Sequence, residues 1–218
     1  MINKDYILRL AEKFGRFLAI ILHLRQANQF EDALIYIDDL FLQMLGLSSS
    51  FINSVSEEIV LKMISPLGEL NIEKCLWIAV LLKAEGDIYE DKGNADESYF
   101  RYLKSLHFFL VVPPLESNTS ELDVGAEVDE LVNKLEAYEL PGQTKVKLFH
   151  YFEQTGKYSR AEDVLFDILE ADEPAHDMVE QGVAFYTRLQ AKSDDVLLVG
   201  NLSREEVEEG MEQLKGMI

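Results

Sequence analysis

Two helical stretches facing each other across a short turn constrain this chain more than any other feature. Leu82, Gly86 and Tyr89 keep helical spacing, Lys92-Gly93-Asn94 interrupts it, and a second periodic stretch runs from Ala95 to Val111 before Pro113-Pro114 ends it. A glycine in the turn supplies the left-handed backbone that a tight helix reversal needs. Early in the returning helix a small residue, Ser98, lets the two helices approach, and Tyr102 one turn on fills the space beyond. The stretch predicts an antiparallel helical hairpin.

The same punctuation recurs twice. Asn28-Gln-Phe-Glu-Asp-Ala33 and Gly156-Lys-Tyr-Ser-Arg-Ala161 both set a turn residue five positions before a small one, as Gly93 does before Ser98. Ile37 and Leu165 then stand where Tyr102 stands in the central copy. The rest of the chain is helical by periodicity as well. Expected helices run from Ile2 to Ala27, Phe30 to Leu45 (closed by Gly46), Asn53 to Ile64, Asn71 to Asp91, and Ala95 to Val111. Others run from Leu122 to Tyr138, Thr144 to Thr155, Tyr158 to Ala171, Pro174 to about Lys192, and Ser203 to near Lys215. Ser54 with Glu57 and Ser203 with Glu206 have capping-box spacing. Ser48-Ser-Ser50 reads as a loop, and Val196–Val199 is too short to assign. No strand alternates convincingly. The fold class is all-α, with about ten helices arranged as irregular α-α hairpin repeats.

Leu115 to Ser120 is the best linker candidate, giving an N-terminal subdomain over 1–114 and an acidic C-terminal one over 115–218, unless the two form one continuous domain. The charge follows that division. The chain carries −20 in all, with −5 over residues 1–110 and −15 over 111–218. Such a surface repels phosphate, so neither nucleic acid nor an anionic membrane is an expected partner. A single cysteine, Cys75, builds neither a disulfide framework nor a zinc site, and its apolar neighbours Leu76, Trp77 and Ile78 suit a buried thiol in a reducing cytoplasm. The N-terminus has charges where a signal peptide needs an apolar core, and its longest apolar run, Phe17 to Leu22, is far short of a membrane span.

The first helix is the exception to the acidity. It holds Lys4, Arg9, Lys13, Arg16 and Arg25 against Asp5 and Glu12, and its apolar arc is wider than one neighbouring helix needs. A core helix with a solvated basic face is the simplest reading. A self-association surface, giving a homodimer through the first helix, is the second, and attachment to a membrane surface is the third.

A search for chemistry gives no catalytic residue, cofactor site or metal site. The histidines His23, His107, His150 and His176 have no zinc-like spacing with Cys75, and no phosphate loop or nucleophile elbow is present.

Gly156 to Pro174 and the central hairpin resemble tetratricopeptide repeats, whose period of about 34 residues is near half the spacing between the three turns. Glu85 stands where that pattern has an apolar residue, and Ser98 and Ser105 where it has alanines. The resemblance implies a right-handed superhelix whose inner face is lined by the first helix of each hairpin. Counting from the core positions puts Val80, Lys83, Asp87 and Glu90 on that face, with Val146, His150 and Glu153 in the third hairpin. Lys83 is alone among acids, so a basic or amino-terminal peptide suits such a groove.

The opening, with Ile2, Asp5, Tyr6 and Ile7, then Leu45-Gly46-Leu47 and Ser56-Glu57-Glu58, resembles a bacterial domain family of unknown function over roughly the first 115 residues. It implies nothing catalytic. The expected role is a non-catalytic protein-interaction module, a helical scaffold or adaptor. The alternative is a ligand- or peptide-responsive regulator, or small enzyme, with a deep apolar pocket around His107 or His150.

Overall fold

A computed structural model describes residues 4–65, 68–113, 123–170 and 176–217. They form twelve helices, and no strand occurs among the described residues. Two compact units divide the chain, Met1–Glu139 and Leu140–Ile218.

The first unit contains α1 (Lys4–Gln26), α2 (Phe30–Leu45), α3 (Ser49–Ser54), α4 (Glu57–Ile64), α5 (Ile72–Asp91), α6 (Ala95–Leu110) and α7 (Val124–Leu135). α7 follows the expected linker at 115–120, which lies outside the described residues, yet it packs against α6 and belongs to this unit. The compact division therefore falls beyond α7, at Glu139.

α5 is the centre of the unit. Every side chain from Cys75 to Leu82 is buried, as expected for a helix that is apolar all round and has neighbours on every side. α1, α2, α4 and α6 all pack on it. Trp77 carries one end of the core, with the Phe14 ring edge-on at 4.5 Å and Phe17 at 5.6 Å. At the other end Gly86 faces Tyr102. A Cβ on Gly86 would lie 2.5 Å from Tyr102 Cε1, so the α5–α6 approach depends on its absence. The serines of α6 donate to backbone carbonyls, Ser105 across to α5 and Ser98 within its own helix. Ser105 Oγ donates to the Ala79 carbonyl at 2.7 Å, and Ser98 Oγ to that of Ala95 at 3.0 Å.

The three hairpin turns share one backbone pattern. Asn28, Gly93 and Gly156 have φ of 56°, 72° and 75°. In each, the next N–H reaches back five residues, Gln29 to Leu24, Asn94 to Tyr89 and Lys157 to Phe152, at 2.8–2.9 Å. Gly46 caps α2 in the left-handed conformation, as its position predicts.

The structure differs from the sequence pattern at two serine positions. The serine run is not a loop: Ser48 caps α3, its side chain accepting from the Phe51 N–H at 3.2 Å. Ser54 does not start a helix. Its hydroxyl donates to the Phe51 carbonyl, the chain extends at Val55 and Ser56, and Ser56 is the N-cap of α4. A run of serines offers several equivalent caps, so spacing alone picks the wrong one.

α4 is fastened to α6 by Glu57, whose Oε1 lies 3.3 Å from His107 Nδ1. The closeness of His107 outweighs burial and lowers the Glu57 carboxyl from 4.5 to about 2. A depressed carboxylate stabilises the fold above its unfolded pKa, and that stability is lost as pH falls from about 4.5 towards 2. Glu57→Gln is expected to remove this part of the acid sensitivity, on the order of 2 kcal/mol across that window, measured by urea unfolding at stepped pH.

The second unit holds α8 (Gly142–Gln154), α9 (Tyr158–Leu169), α10 (His176–Gln190), α11 (Asp194–Val199) and α12 (Arg204–Lys215). α8 and α9 form the hairpin around Gly156, and α10 packs on α9 and α12. The short run Val196–Val199, unassigned by sequence, belongs to α11, and the capping box of Ser203 and Glu206 is present at the start of α12. The expected start at Pro174 lies outside the described residues. Among the described residues no helix is long and apolar enough to cross a membrane.

Candidate functional site

A groove of about 410 Å³ opens between α1, α5 and α7. One wall is the α1 stripe Gly15, Leu18, Ala19 and Leu22; the other is the α5 stripe Val80, Lys83, Ala84 and Asp87. Both step through i, i+3, i+4 and i+7, which places each set on one helix face. Ile21 and Arg25 of α1 and Glu127 of α7 complete the lining. The α1 wall is open to solvent. Leu22 is 49% exposed, and nothing lies within 4 Å of a Cβ built on Gly15.

Phe14 meets Trp77 near the start of this wall, while Arg25 meets Asp87 and Asp91 near its end. α1 and α5 therefore run parallel along the groove.

The rim is charged. Arg25 lies 3.1 Å from Asp87 and 2.9 Å from Asp91, and Lys83 lies 2.7 Å from Glu127 and 2.6 Å from Glu130. Lys134 bridges Glu90 at 2.6 Å and Asp87 at 3.3 Å. Tyr102 donates within reach of both Asp87 (2.8 Å) and Glu90 (2.9 Å), and accepts from Lys134 at 3.1 Å. Burial opposes the charge on Lys83, but Glu127 and Glu130 outweigh it and hold its pKa above the usual value. Burial also opposes ionisation of Glu90, and Lys134 with Tyr102 turns the net shift downward. Burial, then Asp87 and Glu90, raise the Tyr102 phenol. Five carboxylates thus surround three cations, leaving the rim acidic.

The sequence-derived face divides between the two units. Val80, Lys83 and Asp87 line the groove, and Glu90 joins Asp87 through Lys134 and Tyr102. Val146, His150 and Glu153 lie on α8 in the second unit. There the His150 ring sits 5.1 Å from Phe149, and Glu153 takes Arg188 in a two-pronged bond at 2.6 and 2.9 Å. Lys83 is not the lone cation expected, because Arg25 and Lys134 arrive from other helices. No local signal marks them. The α1 wall did leave a trace in the sequence, the wide apolar arc of the first helix.

Glu85 lies behind the groove and is 3% exposed. Its carboxylate accepts from Ser49 Oγ, from Asn53 Nδ2 at 3.2 Å and from Arg101 Nε at 3.3 Å, tying α3 and α6 to α5. The departure from an apolar residue at this position is therefore a structural tie. Cys75 is buried, and burial pushes its thiol up to about 12, so it is not a reactive nucleophile. Neither His107 nor His150 lines the groove. Among the described residues no group of three His, Cys, Asp or Glu side chains is placed to hold a metal ion.

Comparison with protein families matches residues 1–218 to a family of unknown function (DUF6483), and the chain belongs to that family. The match runs the whole length, whereas the resemblance read from the opening covers only about the first 115 residues. No curated protein and no solved structure matches the chain.

Proposed function

We propose that this member of the DUF6483 family is a protein-interaction module whose α1/α5/α7 groove receives an amphipathic helix with a basic polar face. The observation that carries the reading is the pair of helix stripes, Gly15-Leu18-Ala19-Leu22 and Val80-Lys83-Ala84-Asp87, flanking one open groove. Helix-in-groove recognition uses such anchors at i, i+3, i+4 and i+7. The small residues Gly15, Ala19 and Ala84 leave room for a helix to settle. Leu18, Leu22 and Val80 supply apolar contact, and the acidic rim selects a cationic polar face. Tetratricopeptide-like hairpins at α1/α2, α5/α6 and α8/α9 suit a scaffold of this kind, and a single buried thiol suits a reducing bacterial cytoplasm.

The probe is a synthetic amphipathic peptide of Leu, Ala and Lys, followed by fluorescence anisotropy. An acidic peptide with the same apolar pattern is the control. The basic peptide is expected to bind, losing at least tenfold affinity with Ala19→Trp, which fills the groove, or Leu22→Glu, and weakening as salt rises. Equal binding of both peptides, or no effect of either substitution, contradicts the reading.

A further inference from the structure

We propose that the helix occupying this groove is α1 of a second copy, laid antiparallel about a two-fold axis between Leu18 and Ala19. The proposal rests on the reading of the groove as a helix seat and names its occupant.

Charge favours a second copy. α1 carries five bases and two acids in a chain of net −20, and with Arg25 held by Asp87 and Asp91 of its own copy four bases remain, so it is a basic helix against an acidic remainder. The rim it would meet, Asp87, Glu90, Asp91, Glu127 and Glu130, is acidic beyond what Arg25, Lys83 and Lys134 neutralise. A protein this acidic resists pairing with itself unless a basic element enters the contact, and α1 is that element.

The shape of the stripe favours it as well. With the axis between Leu18 and Ala19, Gly15 of one copy faces Leu22 of the other, and Leu18 faces Ala19. Each small residue of the stripe meets a large one, so the stripe is complementary to itself under a two-fold rotation. That is the condition an isologous interface must meet, and it closes at two copies. Each α1 is a wall of its own groove and the occupant of the other.

Arg16 is placed to join the contact. Its side chain is exposed, and the contact it makes in its own copy is to the Glu12 carbonyl, at 3.4 Å. In the antiparallel pair Arg16 of one copy comes level with Ile21 of the other. Because α1 and α5 run parallel, that is the level of Lys83, beside Glu127 and Glu130. Arg16 thus brings a second cation to a lysine already shared by two carboxylates.

The test is the solution mass of the full chain by sedimentation equilibrium, with circular dichroism to verify folding. The native protein is expected near twice 24.9 kDa at micromolar concentration. Leu22→Glu, at an exposed position, is expected to raise the dimer dissociation constant at least 100-fold. Arg16→Glu and Glu130→Arg each weaken it about five- to tenfold, and the double charge swap restores it. A native mass of 24.9 kDa throughout overturns the proposal, as does a dimer indifferent to Leu22→Glu or a charge swap that fails to rescue. A native monomer that still binds the basic probe peptide through Ala19 and Leu22 overturns the second copy as occupant while leaving the groove reading intact.

Discussion

Glu85→Ala is expected to cost the first unit about 3 kcal/mol in urea unfolding, whereas Glu85→Leu is expected to cost about 1 kcal/mol or less. Alanine leaves a cavity where a full side chain was enclosed. Leucine nearly conserves the volume and removes a carboxylate that burial penalises. The three donors also have other partners. Asn53 Nδ2 bonds the Ser49 carbonyl at 3.0 Å and Ser49 Oγ at 3.1 Å, and Arg101 reaches Glu97 at 2.6 Å. The pH dependence has the opposite sign to that of Glu57. Burial raises the Glu85 carboxyl above 4.5, against the pull of Ser49, Arg101 and Asn53, so its contribution declines as pH rises from about 4.5 through the folded value. Both substitutions remove that slope. Equal losses for alanine and leucine would show that the charge itself, and not the filled volume, holds α3 in place.

Gly86→Val is expected to destabilise the first unit by roughly 3 kcal/mol, about 6–12 °C in its melting temperature. The Tyr102 ring is what a new side chain meets, and it is held from both ends. Its backbone belongs to α6, and its hydroxyl is engaged by Asp87, Glu90 and Lys134. It cannot swing aside without giving up those bonds or opening the α5–α6 contact. An unchanged melting temperature would mean that the two helices yield freely at this crossing, contrary to their close packing.

The hairpins were legible in the sequence because their signals are local. A residue tolerant of positive φ, a small residue five positions on and a larger one after that all fall within one short window around Asn28, Gly93 and Gly156. α3 and α11 were less legible, since six residues are too few to show a helical period. Serines at 48, 49, 50, 54 and 56 also offer competing caps. The groove was half legible. Counting on α5 finds Val80, Lys83, Asp87 and Glu90, because positions on one helix share its geometry. The residues that meet them, Arg25, Glu127, Glu130 and Lys134, come from helices distant in the chain. Surface charges are too common in this protein for spacing to single them out. Val146, His150 and Glu153 followed from extending that count to α8, which lies in the second unit, where His150 sits near Phe149 and Glu153 pairs with Arg188.

The α1/α5/α7 groove is the proposed seat of a docked helix. Methyl NMR of the chain, labelled at Leu and Val and titrated with the basic amphipathic peptide in enough excess to displace a second copy from the groove, tests this most directly. Leu18, Leu22 and Val80 are expected to shift progressively and saturate together, while Leu165 and Val207 of the second unit stay in place. Saturable shifts confined to the second unit, with Leu18, Leu22 and Val80 unmoved, would contradict it.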